Sequence, residues 1–433
     1  MFRVFHSTYI AVFRRYPVLG PIAVIAVLGE LVFASLNNYA LPFYVLYDLG
    51  QPGPTLGVLV STFLIVEMLL KLPFGHLSDR YGRRLFISVG LALCALTPAA
   101  ILAIPAGVLI LAPALIYLVL APLRVVDGAG AAALWPPLFA AVTDSVPSEK
   151  RGVAMSVVNM AYLAGLALGP ALGGISMKLW RMHGVGEAWV GKAPFAMAAA
   201  AALAAALVSR TLPAGAHAAQ AEQGATEPEL PPRRMVAVVM VITFGEMLGV
   251  ATLAPYLAPY VTEVTAMDRS TVGLLLLVLF VPAGLLGIPI GHLTDRWPRG
   301  LVVKSALWVA AIGLCLVPLG AYRSVVTLLL AGTVVLMGFL FGVPAWLALI
   351  TDLAAAGRSG RMMGLMATAQ GLGAVVGPLL GGYLWEMGER GHQYPWYAAT
   401  AALMLAAVTA MFFIRGPWAG RRGRSGEGSR GSM

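Results

Sequence analysis

Charged side chains make up only 11% of this chain, against 59% hydrophobic residues and a mean hydropathy of +0.84. So little charge cannot cover a soluble domain of 433 residues, whose composition would be about a quarter Asp, Glu, Lys and Arg. Cysteine is nearly absent. Cys94 and Cys315 each stand alone in apolar sequence, which excludes a disulfide framework and, with no histidine at ligand spacing, a zinc site; both read as buried free thiols. Catalytic signatures are missing too: there is no HExxH, phosphate loop or Ser/His/Asp grouping. No catalytic residue, metal or cofactor is therefore expected, and the chain does not read as an enzyme or a receptor. The net charge of +10 comes without a basic patch interleaved with aromatics, so nucleic acid is not an expected partner.

What the chain has instead is apolar length. Spans of about 20 residues suffice for a helix to cross a bilayer core of roughly 30 Å. Twelve such spans occur, at 18–47, 55–77, 84–104, 110–142, 152–179 and 193–210, then 235–261, 270–293, 301–320, 324–350, 361–386 and 394–414. Helices are expected, because unpaired backbone in lipid is too costly for open strands. The first span is too long for a signal-peptide core and reads as a retained helix. Before it, Phe2, Phe5, Tyr9 and Phe13 suit either a surface-lying amphipathic segment or a disordered one.

Lysine and arginine set the orientation. Of 29, six (Lys178, Arg181, Lys192, Arg269, Arg323 and Arg390) lie opposite the termini, Lys71 and Arg124 lie within spans, and the remaining 21 share the side of the termini. Both termini are thus expected to be cytoplasmic in a multi-pass protein of the cell (inner) membrane.

The one long polar stretch, 211–234, reads as a flexible linker between two six-helix bundles, 1–210 and 235–414, with a disordered tail over 415–433. The bundles are repeats. Gly29-Glu30 is echoed by Gly245-Glu246, GHLSDR at Gly75–Arg80 by GHLTDR at Gly291–Arg296, and GLALGPALGG at 165–174 by GAVVGPLLGG at 373–382.

The stretch GHLSDRYGRR (75–84) resembles the loop motif between helices 2 and 3 of the major facilitator superfamily, and the resemblance extends over the whole chain. It implies an all-α membrane fold of twelve helices in two bundles related by a pseudo-two-fold repeat, working as a secondary transporter by alternating access. Gly75 and Gly82 are expected to allow close backbone approach. Asp79, Arg80, Arg83 and Asp144 form the implied cytoplasmic gate, with Arg83 bridging to Asp144, and the second copy contributes Asp295 and Arg296. That copy departs from the pattern, with Pro298 where Gly82 stands and Gly300 in place of a base.

Ionisable residues inside spans cost about 2.5–3.5 kcal/mol each for the most polar types and so should face a cavity or one another. They are Glu30, Glu67, Lys71, Arg124, Asp127 and Glu246. Glu67 and Lys71, four apart, read as a self-neutralising pair or a snorkelling lysine. In LAPLRVVDGAGAA (120–132), Arg124 matches an arginine that the resemblance links to proton transfer, while Asp127 replaces a more usual amide. Asp127 is read either as the arginine's counter-ion or as a protonation site. Glu30 lies about twelve residues into its helix, roughly 18 Å along it and near the bilayer middle. With its repeat mate Glu246 it is a candidate for exchanging a proton for substrate.

Gly165, Gly169, Pro170, Gly173 and Gly174 resemble the export-branch signature, although the matching set in the other half, including Gly377 and Pro378, fits plain helix packing as well. Asn37, Asn38, Tyr39, Trp135, Phe139, Tyr256, Trp346 and Gln370 are candidate cavity liners. Four membrane acids against two bases disfavour anionic cargo. The expectation is a monomeric, proton-coupled exporter of lipophilic cationic or neutral molecules in the 12-helix drug:proton antiporter branch; the alternative is a metabolite or lipid permease of the same fold.

Overall fold

The computed structural model describes residues 14–111, 114–147, 150–213, 233–280, 297–319, 324–353, 359–387 and 391–414. The described residues are helical wherever the apolar spans predicted helix. In chain order they are α1 (Leu19–Asp48), α2 (Gly53–Tyr81), α3 (Arg83–Ala103), α4 (Ala114–Asp144), α5 (Arg151–Met182) and α6 (Ala193–Ser209). The second half follows with α7 (Arg233–Thr265), α8 (Arg269–Phe280), α9 (Arg299–Leu319), α10 (Val325–Leu353), α11 (Ser359–Trp385) and α12 (Tyr394–Phe413). Eleven of these are long and apolar enough to cross a membrane, and α8 is described over its first part only. The N-terminal segment 1–13, the span 281–296 with Asp295 and Arg296, the linker residues 214–232 and the tail 415–433 lie outside the described residues.

Helix ends follow from local chemistry. Gly82 separates α2 from α3 with φ +100°, a backbone conformation that an L side chain rarely adopts, so a residue with a Cβ would strain the turn. Gly75 meets no such demand: a Cβ there would find only Pro136, at 3.9 Å, and the close approach expected of it is not present. α7 stops where Ala266 turns left-handed. α1 is not a plain α-helix. It carries π-helical turns at Leu36–Ala40 and Tyr44–Asp48, each accommodating an extra residue.

The chain forms two compact units, and their borders differ from those of the sequence halves. The first comprises Met1–Gln223 with Ala251–Val278 and Ala374–Pro395. It therefore gathers the N-terminal half together with the C-terminal part of α7, most of the described α8 and the C-terminal part of α11. Its core is aliphatic and aromatic, with Leu19, Ile22, Ile87, Leu91, Leu134 and Leu138 fully buried. The glycines of α5 let it lie on α1: a Cβ on Gly169 would fall 2.7 Å from Ala34, and one on Gly173 2.8 Å from the Tyr39 ring.

The second unit comprises Gly224–Val250, Leu279–Gly373 and Trp396–Met433. In it α9 packs on α10 through Gly313 and Gly338, and the first part of α7 packs on α12 through Gly245.

Lys192, just before α6, is almost fully buried and donates to three carbonyls ending α3: Ile101 (3.1 Å), Leu102 (3.3 Å) and Ile104 (2.5 Å). Those carbonyls lack intrahelical donors, and an ammonium with three protons satisfies them together. Lys192→Met should lower stability by about 1–3 kcal/mol, the cost of orphaned buried acceptors. The check is thermal unfolding in detergent, and an unchanged midpoint would refute the capping role.

Candidate functional site

The polar centre of the first unit is assembled from α1, α2, α4 and α5. Arg124 and Asp127 sit one turn apart on α4, with 1% and 0% of their side chains exposed and 2.5 Å between Nη1 and Oδ2. Arg124 also donates to the Asn37 amide oxygen on α1 and, through Nε, to the Leu59 carbonyl on α2 at 3.3 Å. The Phe63 ring lies under its guanidinium, 4.6 Å from centroid to carbon. A charge this deep needs each of these partners. Asp127 is less well served, because its Oδ1 has no hydrogen-bond partner among the described residues.

Glu30 on α1 is 5% exposed, and the Tyr162 hydroxyl of α5 is among its polar neighbours. Sequence reasoning missed Tyr162, although it stands just three residues before Gly165, whose missing side chain brings α5 against α1 at Val27 and Glu30. Trp135 packs on this group, 5.2 Å from Tyr162 and 6.0 Å from Phe33, and stacks on Phe139. At 8% exposed, Trp135 belongs to the core as much as to any cavity wall. Glu67 and Lys71 form the expected pair on α2, at 2.9 Å.

Among the other candidate liners, Asn37, Asn38 and Gln370 are half-buried. Tyr39 and Tyr256 are corrections: both are fully buried and donate to backbone carbonyls, Tyr39 to Arg269 at 2.6 Å and Tyr256 to Gly53 at 3.0 Å and Pro378 at 3.1 Å. Both hydroxyls serve packing contacts here. Trp346 is likewise buried and donates to Thr243 at 3.0 Å. Glu246, in the second unit, is 8% exposed and has no ion-pair partner among the described residues.

At the end of the first unit where α1 begins, Arg83 contacts Asp144 at 3.2 Å, as the motif implies, and also pairs with Asp79 and donates to Ser78 at 2.8 Å. Arg80 is exposed beside the Tyr81 ring.

The opposite end carries a second network that sequence reasoning left unassigned. Arg269 pairs with Asp48 at 2.6 Å and lies over the Phe43 and Tyr47 rings; Arg181 reaches Glu187 at 2.9 Å and Asp268 at 3.4 Å. Partial burial works against ionised Asp268, but two hydrogen bonds from Ser270 and the Arg181 charge hold its carboxyl below the usual range. The available signal was the placement of Arg181 and Arg269 opposite the termini, which had been read only as topology.

Twelve predicted spans, helical where described, define a multi-pass membrane protein. The profile of the Major Facilitator Superfamily matches residues 23–238 and 239–431, and the chain belongs to that family. It is 23% identical over 365 residues to Multidrug resistance protein 1 of Bacillus subtilis (strain 168), covering 83% of this chain and 87% of that protein. Quinolone resistance protein NorA of Staphylococcus aureus is 31% identical over 135 residues, a match spanning 31% of this chain and only about a third, 32%, of NorA. Among solved structures, the inward-open xylose transporter XylE from E. coli has a TM-score of 0.73 at 16% identity, covering 92% of this chain and 96% of that one. A bacterial homolog of the human lysosomal transporter Spinster has a TM-score of 0.67 at 15% identity, with 92% and 96% covered. At such identities these structures speak for the fold alone.

Proposed function

We propose that the protein is a proton-coupled exporter of lipophilic cationic or neutral molecules, exchanging them for protons by alternating access as a monomer in the cell membrane, with both termini cytoplasmic. The observation that carries this reading is Glu30: a carboxyl buried mid-helix, beside a tyrosine hydroxyl and close-packed aromatic rings. A carboxyl there is stable when protonated and must gain a cation when it is not, which is the exchange an antiporter performs. The similarity to two resistance proteins supports the export branch.

Arg124, Asp127 and Glu246 are the further coupling residues in this reading. Asp79, Arg83 and Asp144, with Asp295 and Arg296 from the repeat, latch the cytoplasmic side between two bundles, 1–210 and 235–414, that flank the 211–234 linker.

The test is proton release when lipophilic cations are added to purified protein in weakly buffered detergent. Wild type should release protons and Glu30→Gln, which keeps an acceptor beside Tyr162, should not. Release unchanged by the substitution would move the site to Asp127 or Glu246. Absence of release with every cation would favour a metabolite or lipid permease.

A further inference from the structure

Glu67 faces more than its lysine. The turn of α2 that bears it is pressed onto α4, where a Cβ on Gly128 would strike the Phe63 carbonyl at 2.5 Å, Val66 at 3.0 Å and the Glu67 nitrogen at 3.3 Å. Phe63, one turn earlier on the same face, lies under Arg124 and touches Phe33 of α1 at 5.9 Å between centroids. The other flank of α2 exposes Val58, Ile65 and Leu69 and carries no charge. Glu67 thus points to the polar centre and lies within electrostatic reach of Glu30 on α1, Cys94 on α3, Arg124 and Asp127 on α4, and Tyr162 on α5. Three carboxyls share this centre with one fixed cation, Arg124, which Asp127 and Asn37 already occupy. The second cation is Lys71, on a flexible stem with 49% of its side chain exposed, against 13% for Glu67.

The geometry points to Glu67 as a binding subsite for a monovalent organic cation, with the Lys71 ammonium as its resident competitor. Two further features favour a cation here. Asp127 Oδ1 is fully buried and unpartnered beside the turn that Glu67 occupies. The rings of Phe33, Phe63, Trp135 and Tyr162 pack against one another beside this centre, and π-faces attract organic cations. In the empty protein, Lys71 neutralises Glu67 so that no bare carboxylate faces the membrane interior. An arriving cation takes that place, and the lysine, anchored only at its backbone, swings toward water. A bulky cation with no proton to donate is disadvantaged against an ammonium at 2.9 Å unless the rings add to its binding, which selects lipophilic aromatic cations over small inorganic ones.

This subsite rests on the export reading, and the experiment separates the two. Tetraphenylphosphonium binding to the full chain in detergent is measured by equilibrium dialysis at pH 7.5, together with proton release, for wild type, Lys71→Met, Lys71→Gln, Glu67→Gln and Glu67→Gln/Lys71→Met. Removing the competitor should tighten binding about two- to fivefold in either lysine variant, the effect of one half-exposed ion pair. Glu67→Gln should weaken binding, and the double variant should match Glu67→Gln. Wild-type binding with proton release, but no tightening on loss of Lys71 or equal tightening in the Glu67→Gln background, overturns the subsite and leaves the exporter reading intact. Tightening that requires Glu67, without proton release from any variant, keeps the subsite and overturns the antiport.

Discussion

Arg124→Leu should abolish transport of a lipophilic cation such as ethidium and destabilise the protein by about 3–5 kcal/mol, the usual cost of removing one partner from a buried ion pair. The remaining Asp127 would be a fully buried carboxylate with one oxygen already lacking a hydrogen bond and the other newly bereft. The Asn37 amide and the Leu59 carbonyl would lose their donor at the same time. Arg124→Leu/Asp127→Leu separates folding from function. With both charges gone, no unpaired charge is left on α4, and most of the lost stability should return, although Asn37 and the Leu59 carbonyl still lack their donor, while transport stays absent. Thermal unfolding in detergent and ethidium efflux from cells are the two readouts. A single variant as stable as wild type would show that the cluster is wet and the pair dispensable.

The second large effect is expected at the end of the first unit opposite the start of α1. There Gly174 of α5 lies against the Ser270 carbonyl of α8, with Gly273 of α8 reciprocally against the Pro170 carbonyl, and a Cβ on Gly57 of α2 would fall 2.5 Å from the Pro378 carbonyl of α11. Each crossing joins segments from the two sequence halves, and the alternating access proposed above would require them to part and re-form. Gly174→Leu cannot be accommodated by rotamer change, because the obstacle is backbone. Transport should fall by more than tenfold in a protein that still folds, and a cysteine placed at Tyr47 should react with a polar maleimide severalfold faster than in the parent. Gly152→Leu, where a Cβ meets nothing within 4 Å, is the tolerated control. Wild-type transport by Gly174→Leu would show that transport does not need this crossing to close this tightly.

Much of the fold was legible because a bilayer imposes length and apolarity, and these are local properties. α9 was expected at 301–320 and runs Arg299–Leu319; α12 was expected at 394–414 and runs Tyr394–Phe413. The contact between Arg83 and Asp144 was legible for a different reason, a spaced motif whose partner the family resemblance names. What composition and spacing do not carry is the pairing of side chains across helices. Tyr162 beside Glu30, Phe63 beneath Arg124 and Asp48 against Arg269 each depend on the rotation of a helix about its axis. A tyrosine in an apolar run reads equally as ligand contact or packing. Tyr39 and Tyr256 fell on the packing side because carbonyls lay within reach of their hydroxyls.

The π-helical turn at Leu36–Ala40 has a mechanical consequence. Asn37 holds the guanidinium of the polar centre, and Tyr39, two residues on, holds the backbone of Arg269 at the end of the unit opposite the start of α1. An α-helix advances 1.5 Å and about 100° per residue, so absorbing or releasing the extra residue of this turn would screw the helix beyond it by one such step. One grip cannot be rewound without disturbing the other. The contact at the polar centre and the contact at the far end of the unit thus share one turn of helix, two residues apart.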